Sequence, residues 1–395
     1  MSRLGQQVER VERVVRSWKP GESVARHLSD HFSCHRNMGA RDRRECRAWV
    51  YAWIRLGRSL EDLPFAKRLA VATYLTTAEP YPALEALLNS ELSDIELPSL
   101  QSSMEEKINA VARSFPGFSL EKIFPGSSRI SSGLDRAAFL SGLFLPPELW
   151  IRVRTKYREQ VIQELTDRSI PFTVDPILPN AIRLPNRTSI DDLEASRKHL
   201  LEVQDRSSQA TAEFFQPKSG ETRLDACAGS GGKSLLLLDQ EPGLDLTVSD
   251  RRPSILKNLK ERFGLANLKP DELVVCDLTQ PETNWPEQKF DVVLADVPCS
   301  GSGTWTRKPE GLFTEVDEAF FQRFRSLQQK IVKNLSSRIK PGGRFIYLTC
   351  SVFSAENEEM LSWVEQETNL KLQQYRYFEG AAYRADTLFG ASFLN

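Results

Sequence analysis

The stretch that decides the fold is DACAGSGGKS, residues 225–234, a glycine-rich turn between two regular elements. The residues TRLDACA at 222–228 predict a strand, and KSLLLLDQ at 233–240 predicts a helix. Glycine lets a backbone approach a ligand closely, and the amino terminus of a helix favours a negatively charged group. The order of strand, glycine turn and helix therefore indicates a nucleotide-binding unit. The alternative is that the turn has a purely structural role and tightens the packing of strand on helix.

Two nucleotide-binding interpretations compete for this turn. A phosphate-binding P-loop requires a glycine five positions before the glycine of its Gly-Lys pair. Here the pair is Gly232 and Lys233, and the required position holds Cys227, so a P-loop is excluded. The first loop of a doubly wound sheet fits better, because Asp250 ends the second predicted strand, where a carboxylate accepts hydrogen bonds from a ribose. Asp277 ends the third strand and could contact an adenine or its ribose, so the pattern predicts an adenosyl cofactor.

From about residue 205 to residue 395, strands alternate with helices, which is typical of a parallel sheet with crossover helices. We therefore predict an α/β fold with a doubly wound, Rossmann-like sheet for 205–395. The strands are predicted at 222–228, 246–250, 272–277, 290–298 and 343–350.

Residues 1–130 are predicted to form an all-helical domain. Helical spacing of apolar residues is seen at Cys46, Trp49, Val50, Trp53 and Ile54. The opposite side is predicted to carry Arg43, Arg44, Arg47, Arg55 and Arg58. Between Arg3 and Arg58 the chain has thirteen Lys or Arg and six Asp or Glu, so this region could hold phosphates; a solvated helix surface is the equal alternative.

A small α+β subdomain is predicted at 131–204, after a boundary rich in Pro, Gly and Ser near residues 124–133. Ile151 and Val153 alternate with Arg152 and Arg154, which predicts a half-buried strand with an outward basic edge.

The composition favours a cytoplasmic protein. The chain has 395 residues, a net charge of −1 and no apolar run of the roughly 18 residues needed for a membrane span. Its first residues lack the apolar core of a secretory signal, and six scattered cysteines fit reduced thiols. We expect a monomer that binds RNA and neither a membrane nor a metal.

Two further motifs place a cysteine at the end of a predicted strand. LADVPCSGSGTW at 294–305 contains Asp296 and Cys299, and YLTCSVFSAENEE at 347–359 contains Cys350. Ligands of open α/β sheets bind at this carboxyl edge. One buried cysteine is ordinarily a small apolar residue, but two at neighbouring strand ends indicate thiol chemistry.

These three motifs resemble the cofactor loop, the Pro-Cys loop and the Thr-Cys-Ser loop of the RNA cytosine-C5 methyltransferases. The resemblance covers nearly the whole chain, since VQDRSSQ at 203–209 and DTLFGASFL at 386–394 are also similar to family segments. MGARDRRECRAWVYAWIRLG at 38–57 is similar to the NusB-like helical domain of the bacterial small-subunit rRNA members, the RsmB-like proteins.

The resemblance implies S-adenosylmethionine as the cofactor and cytosine C5 of RNA, in small-subunit rRNA, as the methyl acceptor. It implies Cys350 as the nucleophile that adds to C6 and Cys299 as the residue that assists release of the product, whereas DNA cytosine-C5 methyltransferases attack from the Pro-Cys position. Asp296 is expected to hold the N3 edge of the base or to help bind the cofactor. The expected cofactor-binding residues are Cys227, Ala228, Gly229, Ser230, Gly231, Gly232, Lys233, Asp250, Asp277 and Asp296.

The chain departs from the family at Gly229 and Ser230, which stand where Ala-Pro is usual, and at Val297, where Ala is usual. Because proline stiffens a turn and glycine loosens it, the change could alter the grip on the cofactor. Two alternatives stay open, a tRNA methyltransferase and a non-catalytic RNA-binding factor for ribosome assembly.

Two more clusters have functional and structural interpretations. His27, His31 and His35 with Cys34 have helical spacing and ligand types that zinc accepts, but no second ligand pair follows, so partly buried or RNA-facing histidines are favoured. The acidic stretch at 356–358 is either functional or a favourable first turn of a helix, with equal weight.

Overall fold

The computed structural model describes residues 2–36, 38–280 and 288–395, which form two compact units. The first unit comprises Met1–Ile130, Asp135–Pro146 and Thr304–Asp317. The second comprises Ser131–Leu134, Pro147–Gly303 and Glu318–Asn395. The division of the chain into 1–130, 131–204 and 205–395 stays a prediction.

The first unit is helical, as the apolar spacing predicts. Its helices are α1 Arg3–Ser17, α2 Val24–Cys34, α3 Ala40–Arg55, α4 Phe65–Thr76, α5 Pro82–Glu91, α6 Met104–Ser114, α7 Leu120–Ile123 and α8 Arg136–Gly142. Local signals set several of their starts: Ser23 caps α2, and Ser103 and Glu106 form a capping box on α6.

Helix α3 buries four of the five residues of the predicted apolar stripe, and Trp53 is half-buried. The assignment of Arg55 to the outer basic side is wrong. Its side chain is buried, and its guanidinium donates hydrogen bonds of 2.7 Å to the carbonyl oxygens of Leu143 and Thr306. A buried cation needs such partners, and both come from segments distant in sequence. Arg44 and Arg47 are exposed.

The second unit begins with a small antiparallel sheet of order β2-β3-β1-β4, packed with two helices. Its elements are β1 Leu149–Val153, α9 Arg158–Asp167, β2 Thr173–Val174, β3 Ala181–Leu184, α10 Glu194–Arg197 and β4 Leu201–Val203. Ile151 and Val153 lie in its apolar core with Val161 and Leu165 of α9, as predicted, but β1 is not half-buried, because Trp150 and Arg152 on its other face are buried as well.

The outward basic edge predicted for β1 is wrong. Arg152 is buried and forms an ion pair with Asp239, and its Nε also donates a 2.7 Å hydrogen bond to Gln204. Arg154 pairs with the same carboxylate at 2.7 Å and donates to the carbonyl of Ala266. Both arginines are therefore fixed inside the second unit rather than presented to a phosphate.

The rest of the second unit is a seven-stranded sheet of order β10-β11-β9-β8-β5-β6-β7. Its strands are β5 Thr222–Asp225, β6 Asp245–Asp250, β7 Glu272–Val275, β8 Phe290–Asp296, β9 Ile339–Thr349, β10 Lys371–Phe378 and β11 Leu388–Leu394. The helices are α11 Arg206–Ala210, α12 Gly232–Gln240, α13 Pro253–Leu265, α14 Glu318–Ser336 and α15 Glu358–Glu367.

Strands β5 to β9 pair in parallel, and β11 runs antiparallel to β9 and β10. All five predicted strands form, which confirms the doubly wound Rossmann-like sheet, whereas β10 was not predicted. The strand order reverses at β5, which lies between β6 and β8, so a crevice opens at the carboxyl ends of β5 and β8. In the described part of the chain, no helix combines the length and the apolarity that crossing a membrane would take.

Candidate active site

The glycine loop between β5 and α12 uses backbone conformations that L-residues rarely adopt. Gly229 and Gly231 have φ angles of +54° and +84°. A Cβ atom on Gly231 would lie 2.8 Å from the Leu259 Cγ atom, so only glycine fits between this loop and α13. The second glycine therefore lets the loop pack closely on the helix, and α12 starts at the next residue.

A cleft of about 500 Å³ opens at this loop. Its walls include nine of the predicted cofactor residues, namely Cys227, Ala228, Gly229, Ser230, Gly232, Lys233, Asp250, Asp277 and Asp296. Gly231, the tenth, is not in the wall. Leu278, Leu327 and Ile331 supply an apolar part of the wall.

Lys233 and Asp296 form an ion pair across the floor of this cleft, with 2.7 Å between the lysine Nζ and the aspartate Oδ2. Burial on its own lowers the pKa of Lys233, but the Asp296 carboxylate outweighs it, and the net shift of the pKa is upward. The lysine is therefore held as a cation beside the end of β8.

The carboxylate of Asp250 accepts hydrogen bonds from the backbone N–H of Gly229 at 3.1 Å and from the Arg252 side chain at 2.9 and 3.0 Å. Burial opposes ionisation of Asp250, yet the Arg252 hydrogen bonds and charge hold its pKa below the ordinary value. Asp277 accepts hydrogen bonds from the backbone and hydroxyl of Thr279, which lower its pKa. Both groups are thus anionic acceptors in the cleft wall.

Asp225 is a cleft residue that the sequence reasoning missed. Its side chain is buried, and Oδ2 accepts a 2.5 Å hydrogen bond from the Ser234 hydroxyl. Burial raises the pKa of Asp225 to about 7. Within the described part of the chain its Oδ1 has no hydrogen-bond partner, although it is buried. Its position as the acidic residue that opens the glycine motif was the available signal.

The two strand-end cysteines meet. The Sγ atoms of Cys299 and Cys350 lie 3.2 Å apart, and the backbone N–H of Cys350 donates to the Cys299 sulphur at 3.3 Å. The hydrogen-bonded Cys350 sulphur and burial raise the pKa of Cys299 well above its usual value. Asp296 and Pro298 line the cleft, and Cys299 is the next residue in the chain.

The stretch at 356–358 does not form a solvated acidic first turn. Glu356 and Asn357 are fully buried, and α15 starts after them at Glu358. The Asn357 amide accepts a hydrogen bond from the Thr349 hydroxyl at 2.7 Å and donates one to the Ser351 carbonyl at 2.9 Å. These residues therefore support the loop that carries Cys350.

The histidine cluster does not form a metal site in the described structure. The rings of His31 and His35 stack with 4.2 Å between centroids, and His27 contacts the carbonyl of Val14 at 3.1 Å. Across residues 2–36, 38–280 and 288–395, no group of three or more His, Cys, Asp or Glu side chains is arranged to hold a metal ion.

The sheet order, the glycine loop and the acidic strand ends are those of the doubly wound, Rossmann-like class of α/β folds, with a ligand cleft at the carboxyl ends of the strands. The family described as 16S rRNA methyltransferase RsmB/F matches residues 212–388. Residues 212–388 are thus similar to the RsmB/F family.

The chain is also similar to curated relatives. The chain is 30% identical over 217 residues to ribosomal RNA small subunit methyltransferase B of Cronobacter sakazakii, covering 54% of this chain and 50% of the relative. It is 29% identical over 266 residues to the protein of the same name from Xylella fastidiosa, covering 66% and 60%. The chain thus spans about half to three fifths of the length of these relatives.

Solved structures show the same fold at lower identity. The protein PH0851 has a TM-score of 0.72 and 21% identity, with 100% of both chains covered. NSun6 from Pyrococcus horikoshii, solved with SFG, has a TM-score of 0.61 and 17% identity over 69% of this chain and 98% of its own.

Proposed function

We propose that this protein transfers a methyl group from S-adenosylmethionine to C5 of a cytosine in RNA, and that the RNA is small-subunit rRNA. The observation that carries the proposal is the pair of thiols, 3.2 Å apart, at the ends of two neighbouring strands. Asp296 and Pro298, which precede Cys299 in the chain, line a cleft whose wall also holds the Lys233 and Asp296 ion pair. The match of residues 212–388 to the RsmB/F family and the names of the curated relatives support the same activity and RNA class.

The cleft fits the proposed cofactor. Its polar wall offers the Asp250 carboxylate to a ribose and the Asp277 carboxylate to an adenosine, while Leu278 and Ile331 offer apolar contact to an adenine ring. The buried Oδ1 of Asp225, which has no hydrogen-bond partner among the described residues, is an acceptor that a ligand amino group would satisfy. S-adenosylmethionine, when bound, supplies a methyl group on a sulfonium, which is strongly electrophilic.

Cys350 acts as the nucleophile in this proposal. Cytosine C5 is too weakly nucleophilic to attack a methyl donor by itself. When the Cys350 thiolate forms a bond from Sγ to C6, electron density moves to C5, which becomes enamine-like and nucleophilic. After methylation the C5 proton is lost to a base, the electron pair of the C5–H bond re-forms the C5–C6 double bond, and the electron pair of the C6–S bond leaves with the sulphur as the Cys350 thiolate.

Cys299 and Asp296 assist. The raised pKa of Cys299 keeps it a thiol, able to donate a hydrogen bond to the Cys350 sulphur and to assist its departure from the product. Asp296 uses Oδ2 for the bond to Lys233 and is assigned to the N3 and amino edge of the cytosine, where Oδ1 accepts from the amino group and from N3 once that nitrogen is protonated. The lysine thereby orients the carboxylate toward the base.

The target cytosine must leave its stack, which costs a few kcal/mol in folded RNA. Phosphate contacts to exposed cations can offset this cost. Arg44 and Arg47 on α3 are exposed and are assigned to this role, whereas Arg55, Arg152 and Arg154 are not, because each is committed to protein partners.

The test is methyl transfer from labelled S-adenosylmethionine to separate pools of small-subunit rRNA, small-subunit particles and tRNA. The native chain is compared with Cys350→Ala and Cys299→Ala, and Cys34→Ala serves as a control because that cysteine is exposed in α2. We expect 5-methylcytosine in the rRNA pools, its loss in Cys350→Ala, and a covalent protein–RNA adduct that accumulates in Cys299→Ala.

The alternatives predict other results. Methylation confined to tRNA would change the substrate class while leaving the chemistry in place. A native chain that binds rRNA but neither binds S-adenosylmethionine nor transfers label would contradict the enzyme and favour the ribosome-assembly factor.

A further inference from the structure

Glu356 is a fully buried carboxylate that joins the loops of the two cysteines. Its Oε2 accepts a 2.8 Å hydrogen bond from the backbone N–H of Ser300, the residue after Cys299. Its Oε1 accepts a 2.6 Å hydrogen bond from the hydroxyl of Ser351, the residue after Cys350. One carboxylate therefore connects the two residues that directly follow Cys299 and Cys350.

Additional contacts fix the Glu356 side chain and backbone. Gln328 of α14 donates through Nε2 to Oε2 at 3.0 Å and to the carbonyl of Pro298 at 3.2 Å. The Tyr347 hydroxyl of β9 donates to the backbone carbonyl of Glu356 at 2.8 Å. Because a buried charge is costly without hydrogen bonds, these donors are what make a carboxylate tolerable at this position.

A triangle of serine hydroxyls strengthens the link. The Ser300 hydroxyl lies 3.1 Å from those of Ser302 and Ser351, and the Ser302 and Ser351 hydroxyls are 3.2 Å apart. Ser302 also accepts a 2.9 Å hydrogen bond from the backbone N–H of Val352. The two loops are thus cross-connected by side chains of residues that follow the two cysteines in the chain.

We propose that Glu356 is a positioning residue that sets the separation and direction of the Cys299 and Cys350 sulphur atoms. The inference rests on the proposed function only for the claim that these thiols are catalytic. Glu356 is not part of the cleft wall, so it acts on the reaction through the loops and not on the cofactor. The pKa of Cys299 is raised first by Cys350 and by burial, and the negative charge of Glu356 raises it further.

The experiment compares the native chain with Glu356→Gln and with the matched control Glu358→Gln. Gln keeps the size of Glu but replaces one acceptor oxygen with an NH2 group, which then faces a donor. Glu358 is a half-buried carboxylate two residues away whose partners are the hydroxyls of Ser131 and Tyr377 rather than a cysteine loop.

The first readout is the rate at which dibromobimane, a short bifunctional thiol reagent, cross-links Cys299 to Cys350, mapped by peptide mass spectrometry. This measurement needs neither cofactor nor RNA. We expect roughly a tenfold slower cross-link in Glu356→Gln, in line with the loss of one charge-assisted hydrogen bond, and the native rate in Glu358→Gln. In methyl transfer we expect kcat to fall by a similar factor while KM for S-adenosylmethionine stays unchanged.

A native cross-linking rate in a folded Glu356→Gln variant would overturn the positioning role. Should that variant fail to fold, Ser351→Ala removes one side of the link and leaves the carboxylate, and a native rate there would overturn it as well. A native chain that cross-links efficiently but transfers no methyl group contradicts the proposed function and leaves the positioning role standing.

Discussion

The sulphur atoms of Cys299 and Cys350 lie 3.2 Å apart, although 51 positions separate the two residues in the chain. They meet because β8 and β9 are adjacent parallel strands, whose carboxyl ends lie at one edge of the sheet. A neighbouring sulphur this close hinders ionisation of the Cys299 thiol.

Removal of Cys350 is therefore expected to make Cys299 more reactive. The Cys350 sulphur is the first cause of the raised pKa of Cys299, so Cys350→Ala should lower that pKa and increase the thiolate fraction near neutral pH. Each unit of pKa corresponds to roughly tenfold in that fraction. Alkylation rates of Cys299 measured by mass spectrometry against pH test this, with Cys34→Ala as control, and an unchanged rate profile would contradict it.

Loss of the Lys233 cation is expected to weaken cofactor binding and catalysis. Lys233→Met leaves Asp296 without its 2.7 Å partner, a loss worth about 1.5–3 kcal/mol, or roughly ten- to hundredfold. Lys233→Arg keeps the charge and should lose less. Titration calorimetry with S-adenosylmethionine measures the affinity. Because the pKa of Lys233 is raised, the native affinity should hold as pH rises from about 7 to 9, and a decline there would argue against the ion pair.

The buried Asp225 carboxyl is expected to make the free energy of unfolding fall as pH rises. Its pKa is about 7 in the folded protein and lower in the unfolded chain, so the folded state keeps a proton that the unfolded state loses. The free energy of unfolding should thus fall between about pH 4 and pH 7 by up to about 1.4 kcal/mol per unit, and then level off.

Denaturant unfolding of the free protein at several pH values measures this slope. In Asp225→Asn the difference in stability from the native chain should grow from pH 4 to pH 7, in favour of the variant. Asp245→Asn, which changes an exposed aspartate of β6, should leave the native slope in place. Equal slopes in Asp225→Asn and the native chain would show that this carboxyl is ionised when buried.

Arg262 is expected to stabilise the unusual Gly229-Ser230 loop. Its guanidinium donates to the carbonyl and hydroxyl of Ser230 at 2.6 and 3.0 Å, and it pairs with Glu202. It thereby supplies a restraint to a loop that has no proline of its own. Arg262→Ala should weaken S-adenosylmethionine binding by about 1 kcal/mol, roughly fivefold, with Arg262→Lys intermediate. If the calorimetric affinity of Arg262→Ala for S-adenosylmethionine equals the native value, the loop keeps its shape without Arg262.

The buried pair of Arg152 and Asp239 is expected to determine stability rather than RNA affinity. Arg152→Ala leaves a buried carboxylate with fewer partners and should cost about 3 kcal/mol, read from denaturant unfolding. The salt dependence of RNA binding should stay native in the folded variant, whereas Arg47→Ala, on the exposed side of α3, should reduce its slope. A reduced slope of the salt dependence in Arg152→Ala would indicate instead that β1 contacts RNA.

The sequence by itself determined the order of the elements, the glycine loop and the two strand-end thiols. Each depends on short-range information, namely the period of apolar residues, the glycines and the place where a strand stops. Strand β10 escaped this reasoning because, among the described strands, it is an edge strand that pairs with β11 alone and is largely exposed, so it lacks a clear apolar alternation.

Tertiary structure alone decided which charged residues are free and which are fixed. Arg55 finds a partner 251 positions away, Arg152 finds one 87 positions away, and Glu356 joins two loops that only the sheet brings together. A basic or acidic run looks the same in sequence whether it meets water or a buried partner. The difference is decided by desolvation and by hydrogen bonds to distant segments, which exist only once the chain has folded.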